Sequence, residues 1–422
     1  MTAQTNRGGA ADANVAFGPR IMELADRLAR WSETAAGLTC TFLSPAHRSV
    51  AVQLCDWMRE AGLITEIDAI GNVIGRYPAD DPQARTLILA SHYDTVRNAG
   101  KYDGRLGVLV ALVVAEHLRK LHHKLPFNVD VVAFSEEEGV RFSASFLGSS
   151  AMAGRFKFDL LERRDAAGET LAQVMREADL DPKKIPQLAR KPADLLGYLE
   201  VHIEQGPVLL EEGLPVGIVS AIAGAVRRAV TITGTAGHAG TVPMVRRHDA
   251  AAAAAEIVLF VERRCGEAPG LVGTVGQLMV SGGAINIIPG RCELTLDIRA
   301  ANDVTRDAAV SDIAVEMERI AARRGVAIES RELQRTASVA CSPRLQQVLA
   351  DAVAGAGVKP RHLPSGAGHD AMMFDGLTEI GMLFVRCGNG GFSHSPREII
   401  TAEDADVAGR VILATLLRLA ET

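Results

Sequence analysis

Two short, almost wholly apolar runs, Thr86–Ala90 (TLILA) and Asn128–Phe134 (NVDVVAF), bracket a helix-spaced segment from Gly107 to Leu121. Strands buried on both faces read as continuous apolar runs, and parallel neighbours need a long crossover between them. The segment therefore predicts a strand–helix–strand unit and a mainly parallel sheet covered by helices. In such sheets ligands gather at the carboxyl ends of the strands, so the residues that follow each strand are where chemistry is expected.

The chain leading to this unit has helix-spaced apolar residues at Phe17 to Arg30 and Pro45 to Ala61, then a Gly71-Asn72 turn between two strand-like runs. From about Ala229 the order becomes strand (AVTITG), helix (Asp249 to Cys265), strands Leu271–Val280 and Cys292–Ala300, helix (Asp303 to Arg324) and strand (Val326–Glu332). That β-α-β-β-α-β order spells a ferredoxin-like module. Helix and strand alternation then resumes with Leu345 to Ala354, Gly381–Val385 and a helix from Ala402 to Ala420. The expectation is an α/β catalytic domain in two parts, 1–215 and 335–422, with the module inserted at 216–334.

Length and charge narrow the function classes. At 422 residues the chain exceeds one ordinary core. A formal charge of -6 lacks the basic footprint of a nucleic-acid binder, so no nucleic-acid partner is expected. The first twenty residues contain no apolar signal core, and the longest apolar run, Val108 to Ala115, is too short to span a bilayer. A cytoplasmic protein without a membrane partner is expected. The six cysteines contain no CxxC pair, which suits a reducing compartment and buried thiols.

Several polar residues follow the predicted strands. TLILA runs into Ser-His-Tyr-Asp-Thr, which puts His92 and Asp94 on one side of the chain; a carboxylate there can fix the tautomer of a metal-ligating imidazole. Asp103, beside Gly104 and before the helix, can bridge two cations with its two oxygens. NVDVVAF runs into Glu136-Glu137-Glu138, three anions whose mutual repulsion is costly unless cations neutralise them. One glutamate can then hold metal while its neighbour moves a proton. His202 ends the strand-like YLEVHI, and His394 sits in the loop CGNGGFSHSP after GMLFV.

Taken singly, each of these has a plainer reading: a surface hydrogen bond, a helix cap, a solvated acidic loop, a satisfied strand-end histidine, a loop residue. Together they place His, Asp, Glu, His and His around one α/β domain. Three nitrogens with a bridging carboxylate suit zinc or manganese better than calcium or magnesium. No GxSxG elbow, phosphate-binding loop or dinucleotide fingerprint competes.

With these residues in place, the sequence resembles the branch of the aminoacylase-like metallopeptidases that contains allantoate amidohydrolases, N-carbamoyl-L-amino-acid hydrolases and β-ureidopropionases. The resemblance rests on SHYDTVRNAGKYDG, FSEEEGVRF, VHIEQGP, GHAGTVPM, NIIPG with TLDIR, SGAGHDAM and GGFSHSP, in that order from about Phe17 onward. It implies a di-metal aminopeptidase-like domain whose inserted module serves as lid and dimerisation surface, hence a homodimer. It further implies that His92, Asp103 and His202 bind one metal and Asp103, Glu138 and His394 the other. Glu137 matches the general base, and Glu136 a position filled by various polar residues. His238 would stabilise the oxyanion, commonly in the partner subunit's site. Arg299 would clamp a substrate carboxylate, with Gln205, Asn286 and the Gly366–Gly368 backbone holding the rest. Read singly, Arg299 is a strand-end ion pair and Asn286 a turn residue.

The expected reaction is hydrolysis of a ureido carbon–nitrogen bond, with allantoate converted to ureidoglycine, ammonia and carbon dioxide in purine catabolism. SHYDTVRNAGKYDG, AGHAGTVPM and FVRCGNGGFSHSP look closer to allantoate amidohydrolases than to carbamoylases. The nearest alternative is an N-carbamoyl-L-amino-acid hydrolase or β-ureidopropionase; one of another class is an inactive homologue that only binds small molecules. Tyr93, where the family more often carries Leu, Ile or Thr, is expected to alter the pocket beside the first ligand.

Overall fold

The computed structural model describes residues 16–421. It divides into two compact units. One runs to Ser220 and takes in Cys341–Leu363 and the residues from His369 on; the other comprises Ala221–Ala340 and Pro364–Gly368.

The larger unit is built on one mixed sheet. Its strands lie in the order Ile64–Ile67, Val73–Tyr77, Asn128–Phe134, Thr86–His92, Leu195–Ile203, Ile380–Val385 and Val216–Ile222. The four central strands, from Asn128–Phe134 to Ile380–Val385, run parallel, and the flanking pairings are antiparallel. Every residue of Thr86–His92 and Asn128–Phe134 is buried, which is why both read as unbroken apolar runs. Between them the helix Arg105–Lys120 buries Leu106, Val108, Leu109, Val110, Leu112 and Val114. Each such side chain contributes roughly 1.5–3 kcal/mol by leaving water. Leu109→Ala would cost about 2–5 kcal/mol through the cavity it leaves.

The smaller unit is a four-stranded antiparallel sheet ordered Ala327–Thr336, Gly224–Thr233, Arg291–Ala300, Leu271–Val280. Arg291–Ala300 alternates strictly: Cys292, Leu294, Leu296, Ile298 and Ala300 face inward. They meet Ile257 and Val261 of the helix Ala250–Gly266 and Ile313, Met317 and Ile320 of Asp303–Arg324. Asp249 and Asn302 start those helices by accepting backbone N–H groups with their side chains. This is the ferredoxin-like order expected from the sequence.

Differences concern what periodicity does not reach. The expected module boundary at 216 falls at the start of Val216–Ile222, whose Val216, Gly217 and Ile218 pair with Val385, Phe384 and Leu383 of the large sheet. The segment Pro364–Gly368, expected in the catalytic part, belongs to the smaller unit, where the Ser365 carbonyl accepts the Ala223 N–H.

Candidate metal centre and active site

Each central parallel strand delivers one polar group at its carboxyl end. His92 closes Thr86–His92, level with Phe134 on the neighbouring strand, and Glu137 and Glu138 follow just beyond Phe134. His202 is level with Phe384, and His394 lies in the loop after Ile380–Val385. Asp103 enters from the turn before Arg105–Lys120. That turn needs glycine at 104, where φ is +64° and a Cβ would stand 2.4 Å from the His92 ring.

Asp103 is the hub. His202 Nε2 lies 3.2 Å and His92 Nε2 3.9 Å from its Oδ1, and the two imidazole nitrogens are 3.4 Å apart. On the other oxygen, His394 Nε2 lies 3.0 Å from Oδ2 and 3.4 Å from Glu138 Oε1. One carboxylate oxygen thus serves a nitrogen–nitrogen pair and the other a nitrogen–carboxylate pair. His92 turns Nδ1 toward Asp94 and His202 turns Nδ1 toward the Ile203 carbonyl, so both present Nε2 to the centre. This donor set fits two borderline divalent cations sharing a carboxylate.

The electrostatics show how much negative charge is gathered here. Burial alone would raise the Asp103 carboxyl, yet hydrogen bonds from His202 and His394 hold it well below the usual carboxylate range. Bonds to Asp103 and Glu138 push the exposed-edge His394 up to about 10. Burial opposes a charged His92, but Asp94 and the surrounding carboxylates lift it well above its ordinary value. The half-buried Glu137 is pushed well up by burial and by the charge of Glu138.

The structure also shows what holds these groups, including residues that the sequence did not single out. Asp94, expected behind His92, additionally accepts the backbone N–H groups of Glu137 (3.0 Å) and Glu138 (3.1 Å). One buried carboxylate thereby fixes the Glu137–Glu138 backbone and lies beside His92. Asn72 Oδ1 accepts the Ser135 N–H, and His47 Nε2 donates to the Ser135 carbonyl at 2.6 Å, which pins the start of the glutamate loop. Glu398 accepts the N–H groups of Tyr102 and Asp103. Gln205, expected to touch substrate, has its Nε2 3.2 and 3.1 Å from the two Asp103 oxygens. Glu200 and His369 also lie beside His202, but Glu200 is engaged by the Tyr198 hydroxyl and the Ala371 N–H.

Tyr93 does not line the pocket. Strand alternation sends its side chain away from His92 into the core, where it is fully buried, stacks on His47 and donates to the Gly71 carbonyl at 2.7 Å.

Within the smaller unit, His238 and Asn286 are neighbours. The short strands Gly237–His238 and Ile287–Ile288 pair, the Asn286 carbonyl accepts the Ala239 N–H, and both side chains are exposed. Arg299 is held on one edge by Asp297, with Nε–Oδ1 2.9 Å and Nη2–Oδ2 2.8 Å, and its Nη1 donates to the Gly366 carbonyl at 2.9 Å. One hydrogen on each terminal nitrogen remains for a further acceptor. Burial would raise Asp297, but Arg299 and Arg227 hold it below the usual range. Gly368 closes the short segment that carries Gly366.

Comparison with known proteins identifies the family. Residues 88–418 match the profile of the peptidase family M20/M25/M40. The chain is 43% identical, over 95% of its length and 97% of the relative's, to an N-carbamoyl-L-amino acid amidohydrolase of Geobacillus stearothermophilus. It is 39% identical to an allantoate deiminase of Arabidopsis thaliana, over 92% of this chain and 80% of that one. A hydantoinase/carbamoylase family amidase from Burkholderia multivorans superposes with a TM-score of 0.90 at 30% identity, covering 96% of this chain and 98% of the other. Enzymes of this family generally hold two metal ions. The chain belongs to the peptidase family M20/M25/M40 and is a hydrolase acting on carbon–nitrogen bonds other than peptide bonds.

Proposed function

We propose that the protein hydrolyses allantoate at a ureido carbon–nitrogen bond, releasing ureidoglycine, ammonia and carbon dioxide. The observation that carries the hydrolytic reading is Asp103, which offers one oxygen to His92 and His202 and the other to His394 and Glu138, next to Glu137. Zinc or manganese ions held by His92, Asp103 and His202 and by Asp103, Glu138 and His394 would supply Lewis acidity toward the ureido carbonyl and the attacking water. Glu137 takes the proton from that water and returns it to the leaving nitrogen. Arg299, oriented by Asp297, receives the substrate carboxylate, with Asn286 and the Gly366–Gly368 backbone around it. His238 donates to the oxygen that gains charge as the carbonyl is attacked.

His238 is proposed to act in the site of a second copy. The edge strand Leu271–Val280 exposes Leu278, Met279 and Val280 and, among the described residues, pairs only with Arg291–Ala300. An unpartnered edge with apolar side chains suits a symmetric dimer. A cytoplasmic location is supported by six buried, unpaired cysteines. No helix among the described residues is long and apolar enough to cross a membrane.

Allantoate is favoured by SHYDTVRNAGKYDG and AGHAGTVPM and by the similarity to allantoate deiminases over 92% of the chain. An N-carbamoyl-L-amino acid is the second reading, favoured by the 43% identity to the bacillary amidohydrolase. Ammonia release from allantoate, N-carbamoyl-L-alanine and N-carbamoyl-β-alanine side by side separates them. Fast turnover of allantoate alone supports the first reading, and preference for a carbamoyl amino acid replaces it with the second.

A further inference from the structure

Glu398 belongs to none of the ligand groups, yet it joins the two loops that carry them. Its Oε1 accepts the backbone N–H of Tyr102 at 2.8 Å and of Asp103 at 3.1 Å. Its Oε2 lies 3.2 Å from the Ser393 hydroxyl, which in turn lies 3.2 Å from Asp103 Oδ2. The side chain is 3% exposed, so these bonds are not shared with bulk water. Room for it is built into the opposite loop: a Cβ at Gly100 would stand 2.3 Å from the Glu398 carboxyl carbon.

The loop that carries Glu398 needs such a hold. His394 itself adopts φ +54°, a left-handed conformation unfavourable for a residue with a side chain. Gly391, at φ +80°, packs so closely on Gly206 that a Cβ would meet its carbonyl carbon at 2.3 Å. Nothing local to the sequence GGFSHSPRE makes this conformation the preferred one; contacts with the rest of the unit must. Apart from His394 itself, whose Nε2 lies 3.0 Å from Asp103 Oδ2, the direct polar ties from this loop to the Asp103 turn among the described residues run through Glu398 and Ser393.

We infer that Glu398 is a positioning residue, a latch that fixes the Asp103 turn against the His394 loop and so sets the spacing of the donors shared between the two cations. The inference rests on the reading that Asp103 and His394 hold metal. It goes beyond that reading in assigning the affinity of the pair to a residue that touches neither ion. A carboxylate that merely capped two buried N–H groups would matter for folding and leave cation affinity alone. A latch changes affinity even in a folded protein, because donors that are not pre-placed must be ordered on binding.

The test is calorimetric titration of the chelator-stripped full chain with manganese, for wild type, Glu398→Gln, Glu398→Ala and Gly100→Ala, with circular dichroism to verify folding. Glutamine keeps an oxygen for both N–H groups, so its affinity is expected within about threefold of wild type. Glu398→Ala is expected to weaken binding by about 10–100-fold, the range for lost outer partners of metal ligands. Gly100→Ala, which displaces Glu398 without removing it, is expected to weaken binding in the same direction and serves if Glu398→Ala does not fold. Wild-type affinity in folded Glu398→Ala, or in Gly100→Ala where the former fails to fold, overturns the latch and leaves the metal reading intact. Failure of the wild type to take up manganese overturns both.

Discussion

Replacing Asp94 by alanine gives the most informative single perturbation of the site. Its carboxylate is 1% exposed and accepts the backbone N–H groups of Glu137 and Glu138 at 3.0 and 3.1 Å; His92 Nδ1 lies 3.2 Å from its Oδ1 and is hydrogen-bonded at 3.2 Å to the Asp94 backbone carbonyl. Each bond to a charged group contributes roughly 1.5–3 kcal/mol. Against their loss stands the relief of no longer burying an anion, so removing one partner of such a buried cluster costs about 3–5 kcal/mol net. The structural consequence is sharper than the energy. His92 loses the negative charge beside Nδ1 while the Asp94 backbone carbonyl stays as its acceptor, and the two glutamates lose the anchor on their backbone, so the proposed ligand and the proposed proton carrier are loosened together. Manganese affinity should fall by about 10–100-fold, and kcat should fall further at saturating metal because Glu137 is misplaced as well. Asparagine, which keeps one acceptor oxygen but turns an NH2 toward one of the N–H groups, should fall between wild type and alanine. Calorimetric titration of stripped protein, urea unfolding and turnover at saturating manganese measure the three effects. Asp94→Ala with manganese affinity and kcat within twofold of wild type would refute the reasoning.

Arg299→Ala should raise KM for a carboxylate substrate by about 10–100-fold, since a charge-assisted bidentate contact is lost, and Asp297→Asn should raise it less by leaving the guanidinium unoriented; steady-state kinetics that show a kcat effect without a KM effect would contradict the clamp. Mixing His238→Ala with Glu137→Gln chains should restore about a quarter of wild-type sites if His238 serves the partner's site, because half the dimers are mixed and each holds one complete site; no restoration in verified mixed dimers would place His238 in its own subunit's site. Burial lowers His47 to about 4, against about 6.5 in an unfolded chain. Its neutral form therefore supports folding fully above pH 6.5, and that support is lost as pH falls toward 4, by up to about 3 kcal/mol. The stability difference between wild type and His47→Gln should shrink over that window in urea titrations, and a pH-independent difference would count against the assignment.

The fold was legible where apolar patterning was strong. Thr86–Ala90, Asn128–Phe134 and the helix between them could be read because a fully buried strand and its crossover leave no choice of polar residues. The helix Ala402–Ala420 was placed to the residue, with Thr401 as its cap. The expected boundary at 216 cuts in front of Val216–Ile222, whose first residues pair with Ile380–Val385, a partner remote in sequence that nothing local encodes. The same reason explains the site. His92, Glu137, Glu138 and His202 stand next to readable strands, whereas the work of Glu398, Asn72 and His47 depends on where loops meet. The unusual identity of Tyr93 points to the pocket, whereas its side chain is buried in the core, because a residue's identity does not encode the side of the chain on which it falls.

The central claim is that a metal pair and Glu137 together cleave a ureido bond. Its most direct test is ammonia release from allantoate by wild type and Glu137→Gln at equal, verified manganese content. The account predicts turnover by the wild type, abolished by chelation, and a loss of about 10²–10⁴-fold in Glu137→Gln, the span of general acid–base assistance. Turnover by Glu137→Gln at the wild-type rate, or turnover by the wild type that survives complete removal of metal, would contradict it.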